Sequence, residues 1–199
     1  MPTIRFSAFL ANNGRAREMV GLGESIAGMT DGVIDATDMY RAALVQSVAA
    51  LDSYAHDVVL DMAFDILAGS RTPGSASRIG LHFGAVSELI SAASPVEFEL
   101  RARAAINSRL STETFQKPDD IASAFAMVGV SKIWTAAFGS DAKVAMTDLS
   151  VVVRRRNQIV HRCDVDPAGV LGTLPLRASD ALDAIATVDR VVRNFDAIL

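Results

Sequence analysis

The chain is poor in the residues that would tie it to several protein classes. It has one cysteine in 199 residues, Cys163, which excludes a disulfide scaffold and a zinc site of the Cys₂ or Cys₄ kind. Its three histidines are scattered, so neither a metal nor a cofactor is expected. Aromatics make up 6%, with one Trp and nine Phe, which reads as core material and not as a base-stacking platform. An excess of positive charge is also lacking. Nineteen Lys and Arg stand against 23 Asp and Glu, a net charge of −4, so the molecule as a whole is no strongly basic nucleic-acid binder. Any RNA or DNA contact would need a local cluster.

Long apolar runs are missing too. The most apolar stretch, 42–67, is broken by Gln46, Asp52, His56, Asp57, Asp61 and Asp65, short of the roughly 18 uncharged residues of a membrane span. Positions 1–13 carry one Arg and an apolar patch interrupted by Asn12 and Asn13, which is not a secretory signal. A soluble, cytoplasmic protein without membrane contact is expected. Gly21-Leu22-Gly23 follows no strand, so no phosphate-cradling loop is read there.

What the chain has is Ala, Val, Leu and Ile. Half of it is apolar and 21% is charged, which excludes a disordered chain and gives material for the core of one domain over 1–199. No stretch alternates with period two, and the punctuation marks helices. The expected helices cover 6–27, 38–68, 81–93, 94–110, 118–128, 131–138, 141–163 and 176–198. A loop over 166–175 precedes the last. Ser94, Pro95 and Glu97 form a capping-box start, and Pro118-Asp119-Asp120 places carboxylates where the helix dipole favours them. The fold class is all-α, a bundle built on two long antiparallel helices plus shorter ones.

Winding the two long helices at roughly 100° per residue exposes two anomalies. On 38–68, Leu44, Val45, Val48, Leu51, Ala55, Val59, Met62 and Ile66 form an apolar stripe. Asp52 falls inside that stripe, while Asp57, Asp61 and Asp65 lie on the opposite, solvated face. On 141–163, Leu149, Val152, Val153, Ile159 and Val160 form an apolar face with Arg156 near its centre. Buried charges of opposite sign need each other, so an Asp52–Arg156 ion pair is expected.

The segment Arg156-Asn157-Gln158-Ile159-Val160-His161 resembles the R-x4-6-H motif of the HEPN superfamily (higher-eukaryote and prokaryote nucleotide-binding domains). Asn157 matches the polar residue that commonly follows the Arg. The setting is similar as well. A long helix carries Ala-Leu-Asp-Ser-Tyr at 50–54, segments 118–121 and 129–134 look like the family's connecting region, and the motif ends a late helix. The resemblance covers 38–199 and leaves 1–37 as an additional helix and connection. It implies a homodimer of helical bundles whose motifs face each other across a cleft. Many such proteins are metal-independent endoribonucleases acting as toxins, with an antitoxin partner, or as phage-defence effectors. Others are inactive modules that bind a nucleotide or a partner protein.

The resemblance makes His161 the acid–base residue, Arg156 the phosphate-holding cation and Asn157 the group that positions them. Those residue types suit RNA cleavage without a metal, which needs a side chain titrating near neutrality and a permanent forked cation for the phosphorane oxygens. Arg154, Arg155 and Arg162 add a local cationic cluster for an RNA backbone, with Gln158 and Asp52 as supporting groups. Four of the 19 basic residues thus fall between 154 and 162. Each also has a plainer reading. His161 would be a solvated helix-end histidine, Arg156 half of a structural ion pair, the arginine run a solvated face, and Tyr54 and His56 helix-packing residues.

Overall fold

Thr3 opens the first helix, its hydroxyl accepting from the Phe6 amide at 3.1 Å. The computed structural model describes residues 3–74, 80–169 and 172–199, and these are all-helical apart from turns and loops. The elements are α1 (Ile4–Met29), α2 (Thr37–Leu67), α3 (Phe83–Ile90), α4 (Pro95–Leu110), α5 (Pro118–Met127), α6 (Ile133–Phe138), a 3₁₀ turn (Gly139–Asp141), α7 (Ala142–Arg162) and α8 (Ala178–Asp196). No described helix is long and apolar enough to cross a membrane. Of the loop expected over 166–175, positions 170 and 171 lie outside the described residues, as do positions 1 and 2.

Start signals do most to fix these boundaries. Ser94 Oγ accepts from the Glu97 amide at 3.2 Å, Glu97 Oε2 accepts from the Ala93 amide at 2.7 Å, and Pro95 occupies the first turn. The capping box expected there forms with its return bond one residue earlier than usual. Pro118 likewise begins α5 with Asp119 and Asp120 in its first turn. α3 is shorter than expected, and α6 begins two residues late because Lys132 adopts φ +54° just before it.

The contacts divide the chain into two compact units, one of Met1–Tyr54 with Trp134–Leu199 and one of Ala55–Ile133. No linker marks the division, which falls within α2 and again at the start of α6. In the first unit α1 and α7 both pack on α8. α1 buries Phe9, Asn13, Ala16, Val20 and Gly23, a spacing of alternating fours and threes that makes one stripe. Ala16 and Val20 join Ala43 of α2 and Ala181 and Ile185 of α8 in one cluster. Gly23 permits the close approach, since a Cβ there would stand 2.7 Å from the Tyr40 ring. Within the core, Ser47 donates to Asn13 Oδ1 at 2.7 Å. Asp196 accepts from Tyr54 at 3.1 Å and from Thr3 at 3.2 Å, joining α2 and the start of α1 to the end of α8.

In the second unit the late half of α2 buries Val58, Val59 and Met62, and α4 and α5 contribute Ala102, Ile106, Leu110, Ile121, Ala124 and Phe125. His56 stacks on Phe115 with centroids 4.3 Å apart and donates Nε2 to the Leu110 carbonyl at 3.2 Å, the packing role read for it. Asp61 departs from expectation. It is only 17% exposed and takes Arg103 Nη1 of α4 at 2.5 Å, so the face is covered at this position, whereas Asp57 is exposed as expected. Gly74 lets the chain cross the end of α5, because a Cβ there would meet the Ala126 carbonyl oxygen at 1.8 Å.

Candidate functional site

α7 carries the motif, and its sequence explains how each motif residue is presented. Its fully buried residues are Ala145, Leu149, Val152 and Val153, after which the apolar face stops. Ile159 is half-buried and Val160 is 44% exposed. Arg156 therefore stands just beyond the core face and not at its centre, half-buried like Asn157 and Gln158. Its Nη1 donates to Asn157 Oδ1 at 3.1 Å, while its Nε is buried with no hydrogen-bond partner. The ion pair with Asp52 is not among its contacts. Because Arg156 is only half-buried, its charge does not require a buried counter-charge, and the expected pairing does not form. Asp52 itself is half-buried on α2.

Asn157 and His161 are four residues apart and so share a helix face. His161 and Arg162 stand in the last turn, both exposed, and Arg154 is exposed about two turns earlier. A helix C-terminus favours cations through its dipole, and the unsatisfied carbonyls there suit these side chains. Asn157 thus lies one turn before an exposed imidazole and accepts from a half-buried guanidinium. Together these groups can exchange a proton with a ligand and offer forked donors to an anionic oxygen.

Arg155 is taken out of the cationic cluster. Its Nη2 donates to Asp164 Oδ2 at 2.8 Å and to the Leu174 and Pro175 carbonyls at 3.1 Å each. The same carboxylate oxygen accepts Arg41 Nε from α2 at 2.9 Å, and Arg41 Nη2 also reaches the Leu174 carbonyl at 2.9 Å. Burial works against the charge of Arg41, but its bonds to Asp164 and Asp38 outweigh that, and its pKa is raised. Asp164 is fully buried. It lies just past α7, where Cys163 (φ +50°) and Asp164 (φ +55°) turn through the left-handed region. Its amide closes the helix on the Gln158 carbonyl at 3.1 Å, and an isolated bridge, Val165 to Thr173, follows.

Sequence reasoning missed Asp164 and Arg41. The available signal was a carboxylate two residues past a helix whose last nine residues include four arginines. Tyr54 proves to be a core residue whose hydroxyl pKa is pushed far up, by burial first and then by the Asp196 charge. Of the residues singled out, Arg154, Arg156, Asn157, Gln158, His161 and Arg162 share the last three turns of α7, whereas Arg155 turns into the Asp164 network. Against known proteins, the chain matches no family model, no curated protein and no solved structure.

Proposed function

We propose that the protein is a metal-independent endoribonuclease of the HEPN type, working as a homodimer in which two α7 ends share a cleft. The observation that carries this reading is the continuous set at the end of α7: an exposed His161, Asn157 one turn before it, and Arg156 bonded to Asn157 at 3.1 Å. Exposed Arg154 and Arg162 supply sequence-independent contacts to an RNA backbone. Val144 and Val151, seven residues apart on one stripe of α7, are 56% and 61% exposed, apolar area that a second copy would cover.

The step needs no metal. His161 of one copy takes the proton of a ribose 2′-hydroxyl as the 2′-oxygen attacks the adjacent phosphorus. Arg156 donates to the non-bridging oxygens, where charge grows in the phosphorane. The bond from phosphorus to the 5′-oxygen then breaks, and the imidazolium of the second copy protonates that oxygen. The products are a 2′,3′-cyclic phosphate and a 5′-hydroxyl. In a cell such an activity fits a toxin held by an antitoxin, or a phage-defence effector.

Induced expression of wild type beside His161→Ala tests the reading. Growth arrest with RNA cleavage in wild type alone is the expected result. Equal behaviour of the two would point to an inactive dimer module that binds a nucleotide or a protein.

A further inference from the structure

Asp164 is the fully buried carboxylate that the proposed chemistry does not use, and its placement is unusual in three respects. One oxygen, Oδ2, receives two guanidinium groups, Arg155 of α7 at 2.8 Å and Arg41 of α2 at 2.9 Å. The other oxygen, Oδ1, is buried without a hydrogen-bond partner. Its backbone and that of Cys163 sit at φ +55° and +50°, a region costly for side chains with a Cβ and kept only where the surroundings enforce it. Neither residue is glycine, so the side-chain bonds must supply what the backbone opposes.

The geometry points to Asp164 as a positioning residue for the motif: through Arg155 and Arg41 it fixes the final turn of α7, on which His161 stands. This inference rests on the ribonuclease reading for its catalytic consequence, and on geometry alone for the positioning. The path is short. Arg155 precedes Arg156 by one residue and His161 precedes Asp164 by three, so the carboxylate closes the helix end on both sides of the motif. The Asp164 amide bonds the Gln158 carbonyl at 3.1 Å, and its carbonyl accepts from the Leu174 amide at 2.8 Å. Leu174 in turn presents its carbonyl to Arg41 and Arg155. A helix end left to itself frays. This one is tied by side chain and backbone to α2 and to the residues entering α8. An acid–base group must stand within a fraction of an ångström of its proton, which such a tie secures.

Asp164→Gly is the informative substitution, because glycine removes the left-handed backbone cost and the carboxylate together. Were Asp164 merely a residue tolerated in a turn, glycine would be neutral or stabilising. Arg41→Lys is the companion: it keeps the charge, loses the fork and lies on α2, outside the motif. The measurements are amide hydrogen exchange over residues 159–163, the His161 imidazole resonances, and RNA cleavage resolved into kcat and KM. Expected for Asp164→Gly are exchange faster by at least about tenfold over that turn, shifted His161 resonances, and kcat lower by about a hundredfold with KM within about threefold. Arg41→Lys should move each in the same direction by less, and it decides the matter if Asp164→Gly fails to fold. Unchanged exchange and unchanged kcat in folded variants would overturn the inference. A wild type that cleaves no RNA would instead remove the ribonuclease reading, while exchange and resonances still decide the positioning role.

Discussion

Arg156 donates to Asn157 Oδ1 at 3.1 Å, and Asn157 stands one helical turn before the exposed His161. The bond lies within α7, and its acceptor shares a helix face with the imidazole. Arg156→Lys removes the planar fork but keeps the charge, so it separates the two contributions. We expect its kcat for RNA cleavage to fall by about 10²- to 10³-fold, as for loss of a donor to a developing oxyanion. Asn157→Ala should cost about tenfold, as the positioning partner and not the donor. Single-turnover cleavage of a labelled RNA measures both.

The three consecutive arginines have different duties. Arg154 is exposed, whereas Arg155 is bonded to the buried Asp164 at 2.8 Å. Arg154→Ala should weaken RNA binding and reduce the slope of log affinity against log salt by about 0.7, the value for one phosphate contact to a single strand. Arg155→Ala should leave that slope unchanged and lower stability by about 1–3 kcal/mol, the cost of removing one charged hydrogen-bond partner from a buried carboxylate that keeps Arg41. Filter binding across a salt series and denaturant unfolding check the two halves.

Tyr54 gives the protein an alkaline limit. Its folded pKa is raised, first by burial and then by the Asp196 charge. The folded state therefore keeps a proton that the unfolded chain releases at about pH 10. Stability from this group is fully present below about pH 10 and is lost above it, by up to about 1.4 kcal/mol per pH unit. Tyr54→Phe should cost about 1 kcal/mol at pH 7 through the lost hydrogen bond and should lack this alkaline loss. Unfolding curves at pH 8, 10 and 11 for both proteins give the difference.

The Ser47–Asn13 bond pins α1 to α2 inside the core, at 2.7 Å, with the Asn13 amide nitrogen left buried and unpaired. Ser47→Ala should destabilise by about 1–3 kcal/mol, because the Asn13 oxygen then loses its donor as well. Asn13→Leu combined with Ser47→Ala should recover most of that loss. A double-mutant cycle by chemical denaturation reads the coupling.

The helices were legible in the sequence because their starts are written locally. Ser94, Pro95 and Glu97 act within one turn, and Pro118 with its two aspartates does the same. Arg156, Asn157 and His161 were legible for a like reason, since six residues of one helix contain them. The Arg41–Asp164–Arg155 network was not. Its members are 123 and nine positions apart, and Asp164 sits in a turn where periodicity carries no information. The Asp52–Arg156 pairing failed because helix winding cannot tell where an apolar face ends. It ends at Val153, one turn short of Arg156. Asp61 failed in the same way, since the pattern of α2 alone does not show that α4 covers its second face with Arg103.

The measurement that bears most directly on the function is product analysis after incubating purified protein with RNA in excess EDTA, wild type beside His161→Ala. The ribonuclease reading predicts fragments ending in 2′,3′-cyclic phosphate and beginning with a 5′-hydroxyl for wild type, with none above background for His161→Ala. Fragments of the same kind and amount from both proteins, or intact RNA from both, would contradict it.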